Sequence, residues 1–460
     1  MTNRRSQISP EKAMIFKTSN MKKSTKKIES EAVSSSRLKS QVTRLKNEHE
    51  RLNRLLVIAK NLSAEMNLDS LLFKIMDEVR FLLDADRCTI FLWDESTNEL
   101  WSKASYGLKE EIRFPADKGI AGYVYQTGEI VNIADAYSDK HFNPEVDKKT
   151  GYRTKSILTM PMRNRFDQIV GVFQVLNKKS GKFSKENEEV LAAVGSIATS
   201  AIENSLLYAE LKKSFTSFIE ALSTTLDSRD YITAGHSRRV TLYAVEIARL
   251  MKLDPEQREV IRYAGLLHDI GKIGIPEVIL LKDRKLSDDE YEMIKRHANL
   301  TRSILNKIHF IKKYREIPEI AASHHERIDG RGYPHNMRGD DIPLGGKILA
   351  VADAFDALTS RKPYQDRLEL DKVMEIIEKD TGTAFEPFVV YNFKFIGLDK
   401  LILILEYGHT NEIDKQEIQI LETYTLANII EIRTKSIKSE RELEIENIFM
   451  RYYLRHYRIR

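Results

Sequence analysis

Apolar positions in the first half of the chain change their period twice, and each pattern predicts a different element. Leu38, Val42, Leu45, Leu52, Leu56 and Ala59 follow a four-three alternation, with His49 on the same seam, which predicts a heptad helix over 38–60. That helix either pairs with a second strand in a coiled coil or lies on its own domain. From 61 to 204 the pattern becomes mixed. Residues 68–83 are helical in period, while 88–93, 129–133, 156–162 and 169–176 read as strands around a glycine-punctuated segment at 118–124. The expectation is an α+β domain of sensor size.

A second seam runs through Val190, Val194, Ile197, Ala201, Asn204, Tyr208, Leu211, Phe215 and Phe218. It predicts a helix from about Lys185, with 205–220 as a linker and Asn204 as the polar position that sets register in a two-stranded coiled coil. Residues 221–392 read as helices almost throughout. In 393–460, the stretches 401–406 and 417–424 read as strands and 440–455 as a helix, with no functional reading attached.

The 460 residues exceed one core, so several domains are expected. A net charge of +5 on this length argues neither for nor against a polyanionic partner. Much of the excess sits early, where Arg4, Arg5, Lys12, Lys17, Lys22, Lys23, Lys26 and Lys27 face only Glu11 and Glu29. Residues 1–37 are expected as a solvated, disordered basic tail, the alternative being a weak membrane-surface or nucleic-acid contact. The single cysteine, Cys88, excludes an internal disulfide and reads as a core residue. With no apolar run approaching ~20 residues and no signal-peptide pattern, the expected location is cytoplasmic.

The histidines change this picture. Seven of eleven fall between His236 and His335, and His236, His268, His297, His324 and His325 stand among carboxylates that include Asp269 and Asp353. Adjacent ionisable residues in apolar helical surroundings, as in Leu266-Leu267-His268-Asp269-Ile270, are costly without compensating charge. Paired divalent cations would supply that charge, with imidazole and carboxylate ligands.

The His268-Asp269 pair, the His324-His325-Glu326 segment and the triplet Gly332-Tyr333-Pro334 together resemble the HD-GYP phosphodiesterases, a branch of the HD hydrolase superfamily. The resemblance covers about residues 229–392. It implies an all-α domain over 221–392 that opens cyclic di-GMP to pGpG, or onward to GMP, with iron or manganese. Carried over residue by residue, it makes His236, His268, Asp269, His297, His324, His325 and Asp353 the metal ligands, with Asp269 bridging. Lys272, Arg331 and Lys362 become substrate contacts, and Asp269 and Lys272 the catalytic pair. Paired cations of this kind activate water for in-line attack and need no nucleophilic side chain. Members with a third metal carry a glutamate where this chain has Ile232, which implies two ions here. Gln365, Thr301 and Glu386 are further departures, none at a ligand.

Residues 61–204 resemble a GAF domain through Gly119-Ile120-Ala121-Gly122-Tyr123, Asn132-Ile133-Ala134-Asp135, and Asn177-Lys178 followed by Phe183 and Asn187-Glu188. The last set is close to a motif of nucleotide-binding members, with Asn187 in place of aspartate. The resemblance implies cAMP, cGMP, another small molecule or no ligand at this domain. The whole reads as a GAF sensor and an all-α HD-GYP domain linked by coiled-coil helices in a homodimer, with no DNA partner and no membrane span.

Overall fold

The computed structural model describes residues 38–46, 48–50, 52–102, 111–229, 235–282, 284, 286–360, 368–407 and 413–454. The basic tail at 1–37 lies outside the described residues. The chain divides into two compact units at Lys212/Lys213.

In the first unit, helical turns at 38–46, 48–50 and 52–63 make α1. Then come α2 (Leu68–Leu82), β1 (Ala85–Asp94), β2 (Glu99–Ser102), β3 (Ile112–Pro115), α3 (Gly119–Thr127), β4 (Val131–Ile133), α4 (Glu145–Thr150), β5 (Ile157–Arg163), β6 (Ile169–Lys178) and α5 (Lys185–Arg229), whose residues from Lys213 onward belong to the second unit. The strands form one antiparallel sheet in the order β3-β2-β1-β6-β5-β4. Central β1 and β6 are apolar on both faces because each face is covered. Leu71, Ile75, Cys88, Phe173, Leu191 and Val194 fill one side, and Phe91, Ile120, Val124 and Val172 the other. Burial pushes the Cys88 thiol well above its usual range, in keeping with a core residue.

Two expectations change here. The glycine-punctuated segment is α3, a helix that ends at Gly128 in the left-handed region at φ 71°. The seam on α5 is split: Val194 and Ala201 cover the unit's own sheet, whereas Asn204, Tyr208 and Leu211 are exposed. A sheet needs apolar cover, and this helix supplies it before any partner can. An 18-residue window of α5 has the length and mean hydropathy, 1.4, of a membrane span, yet 44% of that window is buried in the fold.

The second unit holds α6 (His236–Leu250), α7 (Pro255–Leu267), α8 (Glu277–Leu280), α9 (Asp288–Leu305), α10 (Ile317–Ala322), α11 (Leu344–Thr359), α12 (Leu370–Asp380) and α13 (Pro387–Phe393). It continues with α14 (Leu398–Leu405), α15 (Lys415–Leu421), α16 (Leu426–Thr434) and α17 (Glu440–Tyr453). The strands expected at 401–406 and 417–424 are therefore helices. A short continuous apolar run fits a buried strand or a buried helix equally well, and only its surroundings decide. Leu401, Ile402, Phe449 and Tyr453 share one core with Tyr243, Phe355 and Phe393, so residues on both sides of 392 pack together. Arg433 clamps Asp371 with two bonds of 2.8 and 2.7 Å, and Tyr453 donates to the Leu368 carbonyl at 2.7 Å.

Candidate metal centre

Helix boundaries bring most of the chemistry together. His236 opens α6, His268 caps the C-terminus of α7, and Asp269 precedes a 3-10 turn over Ile270–Gly274. His324 and His325 follow α10, while His297 and Asp353 come from within α9 and α11. Chain ends of helices let neighbouring residues such as His268 and Asp269 aim at one point, which a continuous helix forbids.

Three of the histidines are oriented by one local device. His268, His297 and His324 each place Nδ1 against the carbonyl three residues earlier, Gly265, Ile294 and Ala321, at 2.6, 2.7 and 2.7 Å. A carbonyl can only accept, so Nδ1 carries the proton and Nε2 keeps its lone pair. Those Nε2 atoms converge. His297 Nε2 lies 3.4 Å from His324 Nε2 and 3.4 Å from Asp269 Oδ1, and His268 Nε2 lies 3.4 Å from Asp269 Oδ2. His268 Nε2 is buried without a hydrogen-bond partner among the described residues.

His236 is held differently. Its Nδ1 donates to Asp356 Oδ2 at 2.8 Å, and its Nε2 lies 3.1 Å from Asp353 Oδ1 and 3.8 Å from Asp269 Oδ2. Asp356 is fully buried and also accepts from Arg239 at 2.7 and 2.9 Å and from Ser360 at 3.0 Å. The sequence reading missed Asp356 and Arg239. Each stands three residues after a ligand on the same helix face, Asp356 after Asp353 and Arg239 after His236, and that spacing was the available signal.

Three overlapping donor sets result: His236, His268 and Asp353; His268, Asp269 and His324; and His297, His324 and His325. Within each set the donor atoms lie within 4.8 Å of one another. Imidazole nitrogens, carboxylates and one orphaned buried Nε2 fit a divalent metal centre.

The electrostatics agree at His297, His324, His325 and Asp269, whereas the carboxylates around His236 hold that imidazole protonated. Burial opposes charge on His236, but its bonds to Asp353 and Asp356 prevail and raise its pKa to about 10. Burial lowers His297 and, with His325 beside it, carries His324 well below the usual imidazole range. Burial brings His325 down to about 3 against the pull of Asp353. Asp269 is buried, yet Lys272 and the surrounding histidines hold its carboxyl well below the ordinary range. Three neutral imidazoles and ionised carboxylates are the forms that bind metal.

Among the expected substrate contacts, Lys272 Nζ lies 2.6 Å from Asp269 Oδ2. Arg331 is exposed on the following loop, where its backbone N–H donates to Asp329 at 2.9 Å. Lys362, Ile232 and Gln365 lie outside the described residues. Buried Glu326 organises the Gly-Tyr-Pro loop by accepting from the His335 and Met337 amides at 2.6 and 3.0 Å. Gly332 lets that loop close onto the backbone of 325–327, where a Cβ would overlap it. Tyr333 then sits with its ring centroid 4.6 Å from that of His325. Thr301 ties α9 to the 3-10 turn: its hydroxyl donates to the His268 carbonyl at 2.9 Å and accepts from the Gly271 amide at 3.0 Å.

In the first unit, the motif residues all bind the domain's own framework. Asn177 Oδ1 accepts from the Lys155 amide at 2.6 Å, and its Nδ2 donates to Tyr152 Oη and the Arg153 carbonyl, both at 2.9 Å. Lys178 donates to the Leu83 carbonyl at 2.8 Å, Phe183 is buried, and Asn187 accepts from the Ser184 amide at 3.1 Å. Glu188 accepts from Asn132 at 2.9 Å.

Comparison with known proteins agrees with both units. Residues 67–202 match the GAF domain family and residues 220–389 the HD domain family. The chain is similar to 3'3'-cGAMP-specific phosphodiesterase 3 of Vibrio cholerae serotype O1, 38% identical over 169 residues that cover 37% of this chain and 36% of that protein. It is also similar to a cyclic di-GMP phosphodiesterase of Thermotoga maritima, 39% identical over 176 residues that cover 38% of this chain and 47% of that protein. A crystal structure of the GAF domain from an Acinetobacter phosphoenolpyruvate-protein phosphotransferase matches 35% of this chain and 98% of its own at 24% identity, with a TM-score of 0.31. The chain spans less than half the length of the two curated relatives. The candidate metal-binding groups lie within the residues that match the HD family, and the chain carries a GAF domain over 67–202 followed by an HD domain over 220–389.

Proposed function

We propose that this chain is a cytoplasmic, homodimeric phosphodiesterase that hydrolyses cyclic di-GMP to pGpG, GMP or both. It would use two divalent ions, iron or manganese, under control of its GAF domain. The observation that supports the reading most is the overlap of three donor sets through His268 and His324, with the unpartnered Nε2 of His268 among them. His236, His268, Asp269, His297, His324, His325 and Asp353 would hold the ions. When bound, such ions supply an activated water and offset charge on a phosphoryl group.

The chain's own residues do the rest. Carbonyl-anchored Nδ1 protons keep the Nε2 lone pairs directed inward, and Lys272 places a fixed positive charge beside Asp269 for a phosphate oxygen. Arg331 and Lys362 complete the proposed substrate contacts. Dimerisation is supported by α1, whose predicted seam residues Leu38, Val42, Leu45, Leu52 and Leu56 are all exposed in the single chain. A cyclic mononucleotide or another small molecule is the proposed effector of the GAF domain.

A second substrate has a specific basis, since the printed name of one similar Vibrio protein specifies 3'3'-cGAMP. Anaerobically purified protein, assayed for iron and manganese and offered cyclic di-GMP and 3'3'-cGAMP in parallel, tests both. Full metal occupancy with no hydrolysis of either would refute the enzyme reading.

A further inference from the structure

Lys272 is useful only if the turn that carries it is fixed, and that turn is gripped from two sides. On one side, Gly271 packs so tightly on α9 that a Cβ would overlap the His297 carbonyl, and its amide donates to Thr301. On the other stands Arg229, the last residue of α5. One guanidinium nitrogen donates to the carbonyls of Ile273 at 2.6 Å and Lys272 at 3.3 Å, and the other to that of Ile275 at 3.1 Å. Carbonyls only accept, and the planar fork of five donors on arginine matches three of them in a geometry that a lysine cannot copy.

We propose that Arg229 is a positioning residue for Lys272, and so for the phosphate that Lys272 holds in the reaction proposed above, on which this inference rests. The two grips separate two jobs. The α9 side fixes Asp269 and the donor sets, whereas the Arg229 side fixes the backbone from which Lys272 projects. Asp227, two residues earlier on α5, accepts from Ser237 at 2.8 Å and keeps the helix seated when the guanidinium is lost.

The experiment uses full-length, metal-loaded protein and Arg229→Met, alone and with Lys272→Met. The single variant is expected to keep its metal content and lose kcat by about 100-fold, the scale of a catalytic group misplaced by about 1 Å. In the Lys272→Met background the same substitution should cost less than about threefold, because the two act as one unit. An additive loss, or loss of metal with activity, overturns the proposal. Hydrogen exchange of the 270–276 peptide reads the clamp without turnover. Faster exchange confined to that peptide in Arg229→Met supports it even if wild type hydrolyses no cyclic dinucleotide and the functional reading fails. Unchanged exchange overturns it.

Discussion

Replacing Asp356 with asparagine keeps the side-chain shape and removes the charge that faces both His236 and Arg239. Asp356 touches no other donor set, so its effect must pass through His236. In the native centre its carboxyl is buried, which alone would raise its pKa, but His236 and Arg239 bring it from the ordinary 3.8 down to about 2. That depression corresponds to about 2 kcal/mol of stability at neutral pH. The sign follows from the depressed carboxyl. The contribution is complete above the unfolded value near 3.8 and disappears as pH falls through about 2, so wild type and variant should converge in acid. An asparagine also presents an amide donor to a site where every neighbour donates, which leaves either Nδ1 of His236 or a nitrogen of Arg239 without an acceptor. Removing such a partner of a metal-bound imidazole typically weakens metal affinity about 10- to 100-fold, or about 1.4–2.7 kcal/mol. The assay is competition with a chelator of known affinity, read by metal analysis, alongside urea unfolding of the metal-free protein at pH 7 and at pH 3. Wild-type metal affinity in Asp356→Asn would refute the idea that this carboxylate aims His236.

Three further outcomes are expected. His325 has its folded pKa lowered to about 3 from an ordinary 6.5, so metal-free protein should lose stability as pH falls below about 6.5, where the unfolded chain binds a proton that the folded chain refuses; Tm measured in chelator from pH 7.5 to 4.5 checks this, and a flat profile contradicts it. Thr301→Val keeps the side-chain shape but strands the Gly271 amide and frees the His268 carbonyl, which should cost about 1–3 kcal/mol in denaturant unfolding without altering a ligand side chain. A Leu45→Glu and Leu56→Glu double variant should shift the protein from dimer to monomer in light scattering, because both side chains are more than 60% exposed on one chain and would face each other in a coiled coil; a dimer that survives both charges would place the interface elsewhere.

The centre was legible because its donors travel in short local pairs, His268-Asp269 and His324-His325, whose cost in apolar surroundings announces a counter-charge. The sheet was partly legible. The long apolar strands β1, β5 and β6 stand out, whereas β2 and β3 span four residues each, too few for their alternation to be told from chance. Residues 401–406 and 417–424 were misread as strands because an apolar run of that length carries no period.

What the chain determines by itself is therefore the order of its domains and the kinds of candidate metal donor, since these depend on neighbours within a few residues. Tertiary structure alone decided which distant groups hold His236 and the Lys272 turn in place. Asp356 reaches His236 across 120 positions and Arg229 reaches the Lys272 turn across more than 40, and no local pattern announces a pairing made by helices that meet only after packing. It also decided which half of the α5 seam is spent on the sheet and which half is left exposed, because that depends on the area of β-surface needing cover and not on the helix's own period.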